Sequence, residues 1–321
     1  MTSRENWIAA LQHKPHEWKP SFSEVLRFGP EELGEYKGRG FVSQQAPFDP
    51  ANFGGKGLFG VNWEYEAAVG GSIDMGRQYD DISEWRDKIV IDDIDAYDWE
   101  GIAKKNADYL NDPTRLKIMT IFTGYFERLI AFSSFEDAAM ALIDPDAEDD
   151  VHALFDKLTD FYCEYIRRCV KYFGIDMFEF HDDWGSQRAP LFSPDTIEEM
   201  IFPHMQRVID TCHELGCFFQ LHSCGQIEPI IPLVIKHGVD TWVGQEVCDK
   251  EMLVTKYGDE FFFGVTVKPD PKKSLEENVA MIEHKAEFYK DKNVWWFDSL
   301  RSMRGEDLEK CKEALAKATG K

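Results

Sequence analysis

The sequence predicts an α/β fold, a (β/α)8 TIM barrel with an irregular N-terminal extension, and three observations carry that prediction. Short apolar runs alternate with longer amphipathic helical patterns from residue 57 to the end, the order expected of parallel strands joined by helical crossovers. Neither a GxGxxG nor a P-loop follows any of these runs, which favours a closed barrel over an open doubly wound sheet. The 321 residues suffice for one barrel, and no repeat, low-complexity segment or linker divides them. The expected division is therefore a cover over residues 1–56, made of one helix and irregular chain, packed on a barrel over residues 57–321.

Each element has a local reason. MTSRENWIAALQ reads as a capping box, Thr2 to Glu5, opening an amphipathic helix rather than as an export signal. The remainder of the first sixty residues is rich in Gly, Pro and aromatics and shows no period. GLFGVNWEYE is strand-like, and LKIMTIFTG is a β-rich run that stops at Gly124. The acidic turn DPDAEDD starts the next helix with charges that suit its dipole. DMFEFHDDWG is a strand. Residues 193–216 then form a helix with Ser193 as cap, Pro194 at its first position and Gly216 at its close. CFFQLHSCG, DTWVGQEV, EFFFGVTV and NVWWFDS are the following strands, each succeeded by a helical pattern.

Composition excludes several partners. Fifty-nine acidic residues against 36 basic ones give a net charge of −23, which repels phosphate backbones and anionic lipid, so neither nucleic acid nor a membrane is an expected partner. No apolar stretch approaches a membrane span. The seven cysteines are odd in number and follow no export signal, so reduced thiols in a cytoplasmic protein are expected. Oligomeric state is left open.

In barrels of this kind the chemistry sits at the carboxyl ends of the strands. Polar groups gather there: Thr123, Tyr125, Glu127 and Arg128 after one strand; His181, Asp182, Asp183, Trp184 and Gln187 after the next; then Gln220, His222 and Cys224; then Gln245, Glu246 and Cys248; and Asp298 with Ser299 at the last. Strand side chains alternate, so Gln220, His222 and Cys224 face one side. Imidazole and thiol there form half of a zinc site, completed by Glu246, with Cys248 or Asp298 as a possible fourth group. The same pair also packs well at a strand end without metal. The adjacent acids Asp182 and Asp183 also have a bland reading, one capping a loop and the other holding an arginine such as Arg188. Neighbours on a strand face opposite ways, and Asp183, in period with His181, is the one expected to enter. His181, Asp183 and Glu246 are the candidate catalytic groups. Tyr125, Trp184, Gln187, Gln220 and Trp242 are the candidate substrate contacts, within a wider set of aromatics that includes Trp63, Tyr65 and Phe126.

The stretch from HDDWGSQRAPLFSPDTIEEM through CFFQLHSCGQIEPIIPLVIKHGVDTW resembles the uroporphyrinogen decarboxylase superfamily, as do GLFGVNWEYE, DISEW, GYFERL and TSRENWIAALQHK in their order. The likeness covers most of the chain, more weakly before Gly57 and after Gly264, and implies a (β/α)8 barrel. The decarboxylases themselves carry an RQAGR segment that binds substrate carboxylates. Here the corresponding region reads WKPSFSEVLRFGPEELGEYKGRG. The resemblance therefore points to the corrinoid-dependent methyltransferase branch, including methylcobalamin:coenzyme M methyltransferases and aryl-ether O-demethylase methyltransferases of anaerobic metabolism. It implies a corrinoid (cobalamin) carried on a partner corrinoid protein, a small-molecule methyl donor or acceptor, and in the thiol-methylating members zinc held by an HxC pair. LHSC supplies that pair as His222 and Cys224, and Glu246 stands at the family's glutamate. The last strand has Asp298 and Ser299 where those enzymes have a cysteine, which leaves an oxygen-richer site or none.

The expected function is methyl transfer between an aryl methyl ether and the partner's cobalt. The alternatives are transfer from methylcobalamin to a thiol or folate, and decarboxylation of a tetrapyrrole.

Overall fold

The computed structural model describes residues 1–43, 53–68, 71–300 and 302–320. Seven strands form a curled parallel sheet in the order β1 (Leu26–Arg27), β5 (Lys117–Ile121), β6 (Met177–His181), β7 (Phe218–Ser223), β8 (Thr241–Gly244), β9 (Phe262–Val267) and β10 (Val294–Asp298). β8 and β9 are buried along their whole lengths, as parallel strands covered on both faces must be. The register lines up Thr120, Glu179, Gln220 and Thr241 across four strands, and His181 with His222 and Val243 one step nearer the carboxyl ends.

Strand alternation divides the apolar side chains into two cores. Ile118, Met177, Val243, Phe262 and Trp295 pack together on the concave face, closed beneath by Trp7 of the helix Ser3–Leu11. Trp7 meets Trp295 at 5.3 Å and Phe262 edge-on at 6.2 Å between ring centroids. The helices cover the other face, where Phe178, Phe180, Phe219, Leu221 and Trp242 belong to the larger core. One parallel bridge, Ser21 to Trp296, ties the chain just ahead of β1 to β10 at the opposite edge.

The sheet has seven strands among the described residues, where the sequence predicts a (β/α)8 barrel. GLFGVNWEYE does form a strand, β3 (Asn62–Glu66), but it pairs antiparallel with β2 (Gly55–Lys56) and β4 (Gly71–Asp74) in a separate three-stranded sheet. Its alternating burial, with Glu64 and Glu66 exposed, suits a half-solvated sheet rather than a two-sided parallel one. The predicted helix over 193–216 is two helices, Pro194–Met200 and Phe202–Glu214. Pro203 lacks the N–H needed to continue the first and starts the second. Caps at Thr2 and Ser193 are as predicted. No helix among the described residues is long and apolar enough to cross a membrane.

The helices Glu148–Phe173 and Phe202–Glu214 meet at a histidine pair, His152 Nδ1 and His204 Nε2 being 2.8 Å apart. Burial depresses the His204 pKa from 6.5 to about 4; Asp156 opposes this, and His152 and Arg207 add to it. The unfolded chain therefore takes up this proton more readily than the folded one. The stability involved is complete above pH 6.5 and is lost as pH falls toward 4. His204→Gln is expected to flatten the acid side of the urea-midpoint profile in that window, by on the order of 1–3 kcal/mol. Profiles of wild type and variant that run parallel there would refute it.

Candidate active site

The two neighbouring strands β6 and β7 present one imidazole each at the same level. His181 and His222 stack with centroids 4.4 Å apart and planes 16° from parallel. His181 Nδ1 donates to Glu127 Oε2 at 2.7 Å, and the two side chains keep 21% and 17% exposure at the rim. Glu127 is brought there by Asp182. That buried carboxylate accepts from Phe126 N at 3.2 Å, Glu127 N at 2.9 Å and Trp184 Nε1 at 2.8 Å, so it fixes the start of the helix Phe126–Phe132. The turn into that helix passes through Thr123 at φ +54°, a left-handed conformation held by Tyr162 Oη, which donates to the Thr123 carbonyl at 3.0 Å. The loops after β6 and β7 cross at Gly185 and Gly225. A Cβ on Gly225 would lie 2.1 Å from the Gly185 carbonyl carbon, so neither loop could approach with a side chain there.

The electrostatics divide the two imidazoles. Burial works against a cation at His181, but the charge and hydrogen bond of Glu127, with Asp183 and Glu179 behind, outweigh it and lift the pKa to about 9. Burial and then the neighbouring His181 push His222 below its ordinary value. At neutral pH a protonated ring thus lies against a neutral one. Burial, helped by Glu127, raises Asp182 to about 7 against its three donors. Burial and then Asp183 hold the Cys224 thiol well above its ordinary value.

The residues named from the sequence fall into three groups. His181, Asp183 and His222 come together: one ligand atom of each lies within 4.8 Å of the others. Cys224 joins them in part, with Sγ 3.4 Å from His222 Nε2 and its backbone N donating to Asp183 Oδ1 at 2.6 Å. Gln220 sits one layer below, donating to Glu179 Oε2 at 2.6 Å. Gln187 is at the surface, donating to Gln245 Oε1 at 2.9 Å.

The others lie elsewhere. Glu246 is turned outward onto Lys285 Nζ at 2.9 Å, its side chain 54% exposed, because β8 ends at Gly244 and the chain turns before reaching it. Cys248 is buried with its thiol donating to the Gly225 carbonyl. Asp298 accepts from Ser21 Oγ and Ser23 N, and so joins the sheet's two edges. Tyr125, Trp184 and Trp242 pack in the helix-side core and do not line the mouth. Trp184 follows the outward parity of Phe180 and Asp182, and Trp242 lies under Lys250, whose Nζ is 3.1 Å from its ring centroid.

Beside the imidazole pair is a cavity of about 570 Å³, lined by Arg27, Arg39, Phe41, Tyr65, Tyr109 and Phe122 among others. Phe122 is its shared wall, with its ring 6.4 Å from that of His181. Arg27 and Arg39 come from the segment that shows no period in the sequence. Glu127 is visible there as a rim group, but nothing local marks it as the partner of a histidine 54 positions away.

Residues 134–259 match the family model of uroporphyrinogen decarboxylase (URO-D). That match supports the superfamily to which the sequence is similar, and the URO-D-like segment contains His181, Asp183, His222 and Cys224. Glu127, Arg27 and Arg39 lie outside it. No curated protein matches the chain. Solved structures with a similar course include a sugar phosphate isomerase/epimerase from Parabacteroides distasonis ATCC 8503, 7% identical over 67% of this chain and 76% of that one at a TM-score of 0.37. An IOLI protein with a binding zinc atom is 10% identical over 70% and 83%, at 0.40. D-psicose 3-epimerase from Clostridium cellulolyticum H10 is 9% identical over 69% and 81%, at 0.38. Likeness at this level carries no property of those enzymes to this chain.

Proposed function

We propose that the protein is a corrinoid-protein-dependent methyltransferase, moving a methyl group between a small aryl methyl ether and the cobalt of a partner corrinoid protein. The supporting observation is the Glu127–His181 pair, a cationic imidazole at the rim with Nδ1 engaged and Nε2–H left to donate. Breaking the methyl–oxygen bond leaves the electron pair on a phenolic oxygen, and a positioned proton donor stabilises that leaving group. The partner's reduced corrinoid supplies the nucleophile that accepts the methyl. His181 delivers its proton to the ether oxygen, Glu127 holds the ring in orientation, and Phe122 and Phe41 give the substrate ring an apolar wall. The partial exposure of His181 at the rim fits a cofactor that must arrive from outside on another protein.

Zinc on His222, Cys224 and Glu246 does not fit the arrangement, since Glu246 is committed to Lys285, and no step is routed through it. Should the wild type retain zinc after dialysis, the amount is expected to fall at least about tenfold in His222→Ala and to be unchanged in Glu246→Gln, because even an outer-shell partner of a zinc ligand typically carries about tenfold of the affinity. Loss of zinc in Glu246→Gln would reverse that assignment. A wild type without stoichiometric zinc leaves His181 as the activating group.

The reading is tested by incubating the full chain with reduced corrinoid protein and a panel of methoxyaromatics, following corrinoid absorbance. Methylation with at least one of them is expected; no change with any would end it. Decarboxylation of a tetrapyrrole is a second reading, favoured by one observation: Arg27 and Arg39 give the cavity basic side chains. Carbon dioxide release from uroporphyrinogen would select it.

A further inference from the structure

Three large apolar side chains stand exposed on one short stretch: Phe135 at 47%, Met140 at 57% and Ile143 at 57%. They belong to the helix Phe135–Ala141 and the turn that continues it, where Ile143 N and Asp144 N both donate to the Met140 carbonyl. At 3.6 residues per turn, Phe135, Ala139, Ile143 and Met140 share an arc of about 140°, interrupted only by Glu136. On the other side Ala138, Ala141 and Leu142 are buried in the larger core. A helix apolar on both faces has one face left to cover.

That face stands beside the mouth. Phe126 packs edge-on against Phe135 at 5.8 Å and against Phe192, in the loop after β6, at 4.8 Å. Its neighbour Glu127 is the group that holds His181. The helix that follows, Glu148–Phe173, is level with the carboxyl end of β5 at Thr159 and Tyr162: Thr159 Oγ1 shares a hydrogen bond with Tyr125 Oη, and Tyr162 Oη donates to the Thr123 carbonyl. Its turns before Thr159 rise past the strand ends by roughly 16 Å, at 1.5 Å per residue. The exposed face and those turns form a wall over the rim on the Glu127 side.

The wall is acidic. From Ser134 to Asp150 the chain has seven acidic residues and no basic one. Arg77 pairs with Asp137 and Arg86 with Asp150, while among the described residues Glu136, Asp144, Asp146, Glu148 and Asp149 have no cation within ion-pair distance. Next to Met140 is a notch of about 210 Å³ whose lining includes six aspartates, Asp80 and Asp146 among them. Anionic lipid and a second copy of this face are both repelled by such a charge. The complementary occupant is a protein with an apolar centre inside a rim of lysine and arginine, one of which the notch admits.

We infer that this face docks the corrinoid-carrying partner, through apolar side chains ringed by basic ones, and so brings its cobalt to the His181 side of the mouth. This docking rests on the proposed methyl transfer and adds to it a surface and the chemistry of the partner's contact.

Free cob(I)alamin is a methyl acceptor that needs no docking, and it separates the face from the chemistry. In titrations of the full chain with the corrinoid protein of the methylation assay, Met140→Glu and Ile143→Glu should each raise Kd at least about tenfold, the loss of one interface anchor. Asp146→Lys should raise it less and flatten its dependence on salt. Methyl transfer to free cob(I)alamin and the urea midpoint should be unchanged in all three variants. Met140→Glu and Ile143→Glu binding as tightly as wild type would overturn the docking, and variants that lose stability along with binding would place the two residues in the fold instead. A chain that sediments as a dimer and becomes monomeric in Met140→Glu would give the face to a second copy. No methyl moves in the titrations, so binding that the variants weaken stands even where every methoxyaromatic fails. Transfer to free cob(I)alamin by a chain whose variants bind the corrinoid protein unchanged removes the docking and leaves methyl transfer intact.

Discussion

His181→Ala is expected to slow methyl transfer from a methoxyaromatic by about 10²–10⁴-fold, the range of a well-placed general acid. The ring's hydrogen-bond partner is Glu127, its face stacks on His222, and both it and Glu127 are partly solvated at the rim, so the substitution removes a proton donor without emptying a fully buried site. Because His181 acts on the leaving oxygen, the variant should lose rate with little change in its affinity for the ether. Glu127→Gln keeps a hydrogen-bonding group opposite Nδ1 but removes the charge that keeps the imidazole protonated, and a smaller loss is expected there. Leaving-group chemistry gives a readout that a merely structural role would not move. A nitro group on the ring stabilises the departing phenolate without help, so the deficit of His181→Ala should shrink for nitro-substituted ethers. Single-turnover corrinoid absorbance measures each rate. A variant within threefold of wild type on an unactivated ether removes His181 from the chemistry.

How much of this arrangement is legible in the sequence depends on how local its causes are. His181, Asp183, His222 and Cys224 follow from strand ends and a period of two, and the structure gathers them. The same period places Trp184 with Asp182 and Phe180, facing the helices. Its ring is thus legible as core, and an aromatic set assigned to the mouth overlooks that parity. Trp242 is harder to read, since β8 has only four residues and all are buried. Glu246 follows a strand that stops two residues earlier, and after a turn the alternation no longer holds. Glu127 meets His181 only because Asp182 captures the start of a helix, a tertiary event with no local signal. The opening segment hides most. Its contribution to the sheet is two residues long, too short to show a period, yet it carries Arg27 and leads to the helix that carries Arg39. The strand-like run GLFGVNWEYE is a strand, but sequence alone does not say which sheet it joins.

Glu35→Ala is expected to destabilise the protein by about 3–5 kcal/mol, the cost of leaving a buried charge without its partner. Arg128 is fully buried, and its Nη2 donates to Glu35 Oε1 and to the Phe122 carbonyl, both at 3.0 Å. Among the described residues its Nε and Nη1 have no hydrogen-bond partner and no second carboxylate pairs with it, and Phe59 covers it at 4.2 Å. Glu35 Oε2 also accepts from Leu58 N, and the pair thereby joins the helix Gly34–Arg39, the chain around Leu58 and the helix Phe126–Phe132. Urea midpoints with unchanged slopes measure the loss. A shift below about 1 kcal/mol would place the pair with solvated ion pairs, whose usual contribution is of that size. Replacing both groups, as in Glu35→Leu with Arg128→Met, should recover much of the stability, because a buried ion pair is often no better than packed hydrocarbon. Function is expected to recover less. Arg39 lies one helical turn from Glu35 and Glu127 adjoins Arg128, so the pair sets the cavity's cation and the catalytic carboxylate in one register. A double variant as stable as wild type but slower in methyl transfer would identify that register as the reason a charged pair is placed in the core. One that turns over as fast as wild type would assign the pair to stability alone.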